Sequence, residues 1–276
     1  MAYLGPQGTY AEKAAVRLAN LENLDEIEFI PCLGIHSVVE HVAKNLCDMA
    51  VAPIENSVEG GVTGTLDALW GFPDLFITRA LVLPIKHCLM SSGLMHEISE
   101  VLSHPQALAQ CNRWLNENLP NALLLPTSST AEAVKMIAGS NFRAAIASRS
   151  APKINGINEI AFPINDVPGN RTRFVLIQRK EFEGQGDIAS LAFSLHSNSP
   201  GELLKALTTI AELGLNMNRI ESRPSKRELG EYVFFVDVDI PQKQRDLDKE
   251  LRKRLKPLCE NLVNFGSYQS SEIQSD

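Results

Sequence analysis

Three features of the 276-residue chain predict an α/β fold in two parts. Up to about Lys180, short apolar runs alternate with helix-patterned stretches, the order that builds a largely parallel sheet with helices on its faces. A charged, glycine-containing and aperiodic segment, RKEFEGQGD (residues 179–187), then interrupts the pattern and reads as a linker. Beyond it the order becomes β-α-β-β-α-β, that of a small ferredoxin-like split βαβ module. The length also favours two domains, each able to bury a core. The expected division is therefore 1–180 and 187–268, with 269–276 as a frayed tail.

MAYL is the first strand, and Thr9 with Glu12 has the Ser/Thr-x-x-Glu spacing of a capping box at the first helix. IEFIPCL is the second strand, and Ser37 with Glu40 marks the next helix in the same way. DMAVAPI, LFITRALVLPI, HCLM and EVLSH follow as strands. ALLLP and AAIAS flank a helix capped by Ser129 with Glu132, and RFVLIQ closes the first part. In the second part IASLAFSL leads into a helix over about 200–213. There Ser199 is placed to cap, Pro200 takes the first helical position and Glu202 the third. LNMNRIES and EYVFFVDVDI are the middle strands, the latter alternating as a half-buried strand does, followed by a helix over about 243–255 and the strand LVNFGSY. In such a sheet a ligand is expected in the crevice beyond the carboxyl ends of the strands.

Composition narrows the partners. A formal net charge of −7 argues against nucleic acid or an anionic membrane. No apolar stretch approaches the roughly 18 residues of a membrane span, and no signal peptide precedes the first strand. The five cysteines are scattered, odd in number and without a CxxC pair, which suits reduced thiols in a cytoplasmic protein with no metal site. Neither a GxGxxG nor a Walker-type loop is present, so no nucleotide cofactor is expected.

Four segments of the first part are rich in donors and turn formers. Gly5-Pro6-Gln7-Gly8-Thr9 lies between a strand and a helix, where backbone amides can hold an anion. Pro53-Ile54-Glu55-Asn56-Ser57 runs into a polar glycine loop that includes Thr65. Ser103-His104-Pro105-Gln106 suits a helix cap as well as a site, and Asn170-Arg171-Thr172-Arg173-Phe174 enters an apolar strand, where a threonine is usually structural. Alone, each has a bland reading.

Together, YLGPQGTYAEKAA (3–15), PIENSVEGGVTGTLD (53–67), SHPQAL (103–108), TSSTAEA (127–133) and DVPGNRTRFVLI (166–177) resemble, in order, the blocks of prephenate dehydratases. The spacing from Asp166 to Thr172-Arg173-Phe174 is the most specific of these. Downstream, Ile220-Glu221-Ser222-Arg223-Pro224 is similar to the ESRP motif of the ACT regulatory domain fused to those enzymes. Asn155, Glu202 and Asn218 depart from the residues usual in the family. Only two residues precede the first block, so no chorismate mutase domain is expected ahead of it.

The resemblance implies a two-lobed, periplasmic-binding-protein-like catalytic domain, which the first part is expected to form on its own. It implies dehydration of prephenate without a cofactor, with Thr172 at the leaving hydroxyl. Glu55 (a candidate proton source), Asn56 and Gln106 complete the expected catalytic set. Arg173, Phe174, Gly8, Thr9, Ser57, Thr65, Ser129 and Thr130 are the expected substrate contacts, Arg173 as a guanidinium fork on the side-chain carboxylate. Histidines 36, 41 and 87 lie outside these blocks. In the ACT part, a phenylalanine site is implied at Pro200, Gly201 and Leu203, at Asn216, and at Glu221, Ser222, Arg223 and Pro224. ACT modules commonly pair, so a homodimer or homotetramer is expected. Arogenate as substrate, or a non-catalytic amino-acid sensor, are the alternatives.

Overall fold

The computed structural model describes residues 1–151, 154–182, 186–241 and 246–273. The first lobe begins with β1 (Ala2–Leu4), α1 (Tyr10–Leu21), β2 (Ile30–Cys32), α2 (Ile35–Ala43), β3 (Met49–Asn56), β4 (Gly60–Gly61), α3 (Thr63–Gly71) and β5 (Phe76–Pro84). The chain then crosses to a second lobe formed by β6 (Cys88–Ser91), β7 (Glu100–Ser103), α4 (Pro105–Gln110), α5 (Asn112–Asn118), β8 (Leu123–Pro126), α6 (Thr130–Met136), β9 (Arg143–Ala147) and β10 (Asn158–Ala161). It returns through β11 (Arg171–Gln178), which lies between β3 and β5 and antiparallel to both. The two lobes thus share a crossing at residues 84–88 and another at 161–171. Within them β1, β2 and β3 are parallel, as are β7, β8 and β9, while β6, β10 and β11 run against their neighbours.

The C-terminal part is β12 (Ile188–Leu195), α7 (Glu202–Glu212), β13 (Met217–Pro224), β14 (Tyr232–Asp239), α8 (Leu247–Leu255) and β15 (Cys259–Glu272), the β-α-β-β-α-β order the pattern predicts. Residues 183–185 of the expected linker and 243–245 at the start of the last expected helix lie outside the described residues.

Several expectations are corrected. Residues 269–272 are not a frayed tail. They continue β15 and pair in parallel with β5, from Gln269 opposite Arg79 to Glu272 opposite Val82. One ten-stranded sheet therefore runs β13-β14-β12-β15-β5-β11-β3-β1-β2, with β4 attached to β3, through both parts of the chain. Arg79 adds bonds to Gln269 (2.9 Å) and Ser271 (3.1 Å) across that junction. Ser37 is no cap: α2 starts at Ile35 behind Gly34, and the Ser37 carbonyl instead accepts from His41 Nδ1 at 2.6 Å. Nor does Ser199 cap α7 through its side chain. Gly201, at φ 90°, precedes Glu202, a left-handed turn that a residue with a Cβ would adopt at a cost. Thr9 and Ser129 do cap, accepting from the backbone N–H of Glu12 (3.4 Å) and Glu132 (3.0 Å).

The core crosses the same junction. Leu66, Leu69, Leu75 and Ile77 of the first lobe pack in one cluster with Ile188, Val233, Phe235, Phe265 and Tyr268. Trp70 meets Phe235 edge-on at 6.5 Å between centroids, and Phe235 stacks on Phe265 at 6.2 Å. A separate cluster under α7 and α8 stabilises the outer face of the C-terminal sheet.

Candidate active site

Between the lobes lies a cavity of about 640 Å³. Its floor is the strand pair β3–β11, where Asn56 faces Thr172 in register. Its walls are the first residues of helices: Thr9 and Tyr10 of α1, Ile35 of α2, Val62 and Thr63 of α3, His104 and Gln106 of α4, and Ser129 and Thr130 of α6. This follows from the α/β order, since each helix begins just after a strand ends at the crevice. None of the described residues lining the cavity is lysine or arginine, and Glu59 is the one carboxylate among them. Affinity for an anion must therefore come from helix starts and neutral donors.

Thr172, Asn56 and Gln106 line the cavity, as do Phe174, Thr9, Ser129 and Thr130. The other expected contacts do not. Side chains alternate along a strand, so Thr172 and Phe174 point into the cavity and Arg173 points away. Its guanidinium lies 3.0 Å from Glu55 and 3.0 Å from Asp237. Glu55 is thereby held on the far side as well, which removes it as a proton source within the cavity. Asp166 does not pair with Arg173. Its carboxylate accepts from the amides of Arg113 (2.8 Å) and Trp114 (2.9 Å) at the start of α5. Ser57 Oγ accepts from the Arg171 amide, Thr65 is buried with its hydroxyl on the Pro53 carbonyl, and the Gly8 amide is taken by Glu12 at 2.6 Å.

The expected effector residues are also engaged within the chain. Arg223 grips Asp67 of α3 through two bonds (3.1 and 3.2 Å), and Asn216 bonds Asn218 and Asp239. Glu221 lies against Gly61 on the cavity loop, so close that a Cβ there would displace its carboxylate. Pro200 and Gly201 form the turn into α7, Leu203 lies in its first turn, and Ser222 and Pro224 lie on β13.

A network on the cavity floor went largely unseen in the sequence. Asn56 Nδ2 donates to Thr172 Oγ1 (2.9 Å), Asn170 Oδ1 (2.9 Å) and the Arg171 carbonyl (3.1 Å). Its Oδ1 accepts from the amides of Val58 and Glu59 (both 3.0 Å), so chemistry alone fixes which end of the amide is which. Gln110 Oε1 accepts from Asn170 (2.9 Å) and His87 Nε2 (3.0 Å), and its Nε2 donates to Glu59 (3.2 Å). Tyr10 reaches the crossing, donating to the Lys86 carbonyl at 2.6 Å and accepting from its amide at 2.9 Å. Gln110 was discoverable, lying one helical turn beyond Gln106. Tyr10 and Asn170 lay within the quoted blocks without a role of their own, and His87 lay outside them.

Burial depresses the pKa of His87, opposed by its bond to Gln110, and burial also depresses that of His104. The Gln110 bond needs a proton on His87 Nε2, and Nδ1 has no partner among the described residues. Protonating Nδ1 would bury a charge without an acceptor. The folded-state pKa thus lies below the unfolded one, and between the two the unfolded chain binds more protons. The stability that neutral His87 contributes is fully present above the ordinary value of 6.5 and is lost as pH falls below it toward the depressed value. The thermal midpoint is expected to decline as pH falls below 6.5, and His87→Gln to flatten the decline. An unchanged slope in that variant would refute the assignment.

The family model described as prephenate dehydratase matches residues 1–182, and the ACT domain model matches 189–256. A prephenate dehydratase of Methanocaldococcus jannaschii is 37% identical over 243 residues, covering 86% of this chain and 87% of that one. A bifunctional chorismate mutase/prephenate dehydratase of Aquifex aeolicus is 35% identical over 276 residues, covering 99% of this chain and 74% of that protein. Among solved structures, the prephenate dehydratase of Arthrobacter aurescens in complex with L-Phe superimposes with a TM-score of 0.87 at 34% identity, covering 97% of this chain and 89% of that one.

Proposed function

Since the chain belongs to the prephenate dehydratase family and carries an ACT domain behind the catalytic part, we propose that it converts prephenate to phenylpyruvate, water and carbon dioxide, a carbon–oxygen lyase step toward phenylalanine. The bond to the ring hydroxyl breaks with uptake of a proton. The bond to the ring carboxylate breaks to release carbon dioxide, and its electron pair completes the aromatic ring. Aromatisation drives the reaction, so the protein's task is to hold the substrate and ease the departure of hydroxide.

The observation that carries this reading is the Asn56–Thr172 bond on the cavity floor. Because Asn56 donates to Thr172 Oγ1, the threonine's own proton remains for an outside acceptor, which we assign as the leaving hydroxyl. A threonine hydroxyl is too weak an acid to give up its proton outright, so it stabilises the developing charge by a hydrogen bond, and the departing hydroxide takes up its proton from the solvent. The starts of α1, α3 and α6, through Thr9, Thr63, Ser129 and Thr130, hold the side-chain carboxylate. The ring carboxylate must lose its charge as carbon dioxide, and an ion pair there would stabilise the ground state. A cavity walled by neutral donors and by Phe174, Ile35 and Ile85 suits that requirement. Gln106 orients the substrate from α4.

Phenylalanine is the effector of the C-terminal domain, and the protein works in the cytoplasm as a homodimer or homotetramer. No described helix is long and apolar enough to cross a membrane. The test is pure protein with prephenate, read by phenylpyruvate absorbance, with and without EDTA and with and without phenylalanine. Turnover is expected to survive chelation and to fall with phenylalanine. Turnover of arogenate alone would move the assignment to that substrate, and turnover of neither would leave a sensor.

A further inference from the structure

Behind the catalytic strand pair lies a second cluster of charge, on the face that the cavity does not use. Asp237 of β14 is completely buried, at 0% exposure. It accepts from Arg173 Nη1 (3.0 Å), from Arg219 Nε (2.8 Å) and Nη2 (3.1 Å), and from Ser190 Oγ (2.6 Å). The other end of Arg173, Nη2, lies 3.0 Å from Glu55. Arg173 and Glu55 face each other in the β11–β3 register, immediately beside the facing pair Thr172 and Asn56. The register shifts just after them, between Arg173 and Phe174. A bulge interrupts the ladder at this point, and the side-chain clamp adds a further tie between the two strands.

Buried charge is an uneconomical way to gain stability, because apolar side chains of similar volume do as well or better. Asp237 accepts four hydrogen bonds within an otherwise apolar interface, although Arg219 Nη1 has no partner among the described residues, and such a cluster is better explained by the geometry it imposes. Asp237 comes from the C-terminal part, and it grips the one residue between Thr172 and Phe174.

We propose that Asp237 is a positioning residue for the dehydration: through Arg173 and Glu55 it sets the strand pair that aims the Thr172 hydroxyl. This rests on the reading of Thr172 as donor to the leaving group. The catalytic strand would then be aligned only when the C-terminal sheet is docked behind it.

The full-length chain serves for the test. Asp237→Asn keeps the shape and removes the charge. Arg173→Gln releases the catalytic strands while leaving Asp237 both Arg219 bonds, so it carries the test should Asp237→Asn fail to fold. For folded, monodisperse protein, kcat is expected to fall about ten- to a hundredfold with KM within about threefold, as misaimed groups cost rate more than binding. Arg173→Lys, which cannot fork onto two carboxylates, should fall between. In a Thr172→Ala background, Arg173→Gln should cost nothing further, because its effect runs through the missing hydroxyl. A loss confined to KM, or one that multiplies with that of Thr172→Ala, would overturn the proposal. Wild-type kcat in Arg173→Gln beside an inactive Thr172→Ala would overturn it alone, whereas an active Thr172→Ala would remove the parent reading as well.

Discussion

Thr172→Ala is expected to lower kcat by about a hundredfold or more, since one donor aimed at developing charge is worth about 3 kcal/mol. KM should stay within a few-fold, because the hydrogen bond strengthens as hydroxide departs and contributes little to holding the intact substrate. Asn56 still has Asn170 Oδ1 and the Arg171 carbonyl when the threonine oxygen is gone, so the floor of the cavity should keep its shape. Thr172→Ser retains a hydroxyl in the same network and should keep much more activity. Steady-state kinetics with prephenate give the answer, and near wild-type turnover in the alanine variant would exclude the role.

The second large effect concerns the division of the chain. A chain ending near Lys180 is expected to lose its cooperative fold, contrary to the independent catalytic domain that the sequence pattern suggests. Truncation removes the strand paired with β5 and strips Phe235, Phe265 and Tyr268 from the shared core. It also leaves Arg173 without Asp237. Fully burying one large apolar side chain stabilises by about 1.5–3 kcal/mol, and a typical domain has only about 5–15 kcal/mol in total. Losing several such residues together with the interior strand that covers β5 is therefore comparable to the whole stability of a domain. Thermal unfolding followed by circular dichroism would show a broad or absent transition, with turnover to match. A sharp transition at the temperature of the full chain, with kcat intact, would show that the two parts are independent. A stop after Tyr268 is gentler, removing the β15–β5 pairing and its side-chain contacts while leaving Phe235, Phe265 and Tyr268 in place, and should lower the midpoint without abolishing the transition.

The sequence carried the local information well, for reasons visible in single elements. Strands such as LFITRALVLPI and helix starts such as Thr9-Tyr10-Ala11-Glu12 are set by neighbours a few residues apart, where hydrophobic period and capping chemistry are decisive. Where a cap depended on surroundings, the pattern misled. Ser37 has the spacing of a capping box, yet Ile35 already belongs to the helix because Val38, Val39 and Val42 must face the core. The strand Asn158–Ala161 gave no apolar run and is placed by its pairing with β6.

The ordered motifs located the crevice and named Thr172, Asn56 and Gln106 on its walls, since a motif records which residue types recur together. It does not record which way each points. Thr172 and Arg173 are adjacent in sequence and lie on opposite faces of one strand, so only the sheet could separate a cavity residue from one that ties the strand to Asp237, 64 positions away. The same applies to His87, Gln110 and Asn170, which are far apart along the chain and meet because the two crossings between lobes converge on the cavity. Sequence by itself determined most of the element order, the β-α-β-β-α-β second part and the family. Tertiary structure decided that one sheet joins both parts through β15, and which polar side chains face the substrate, because strand pairing and side-chain facing are settled by contacts between residues that sequence spacing does not relate.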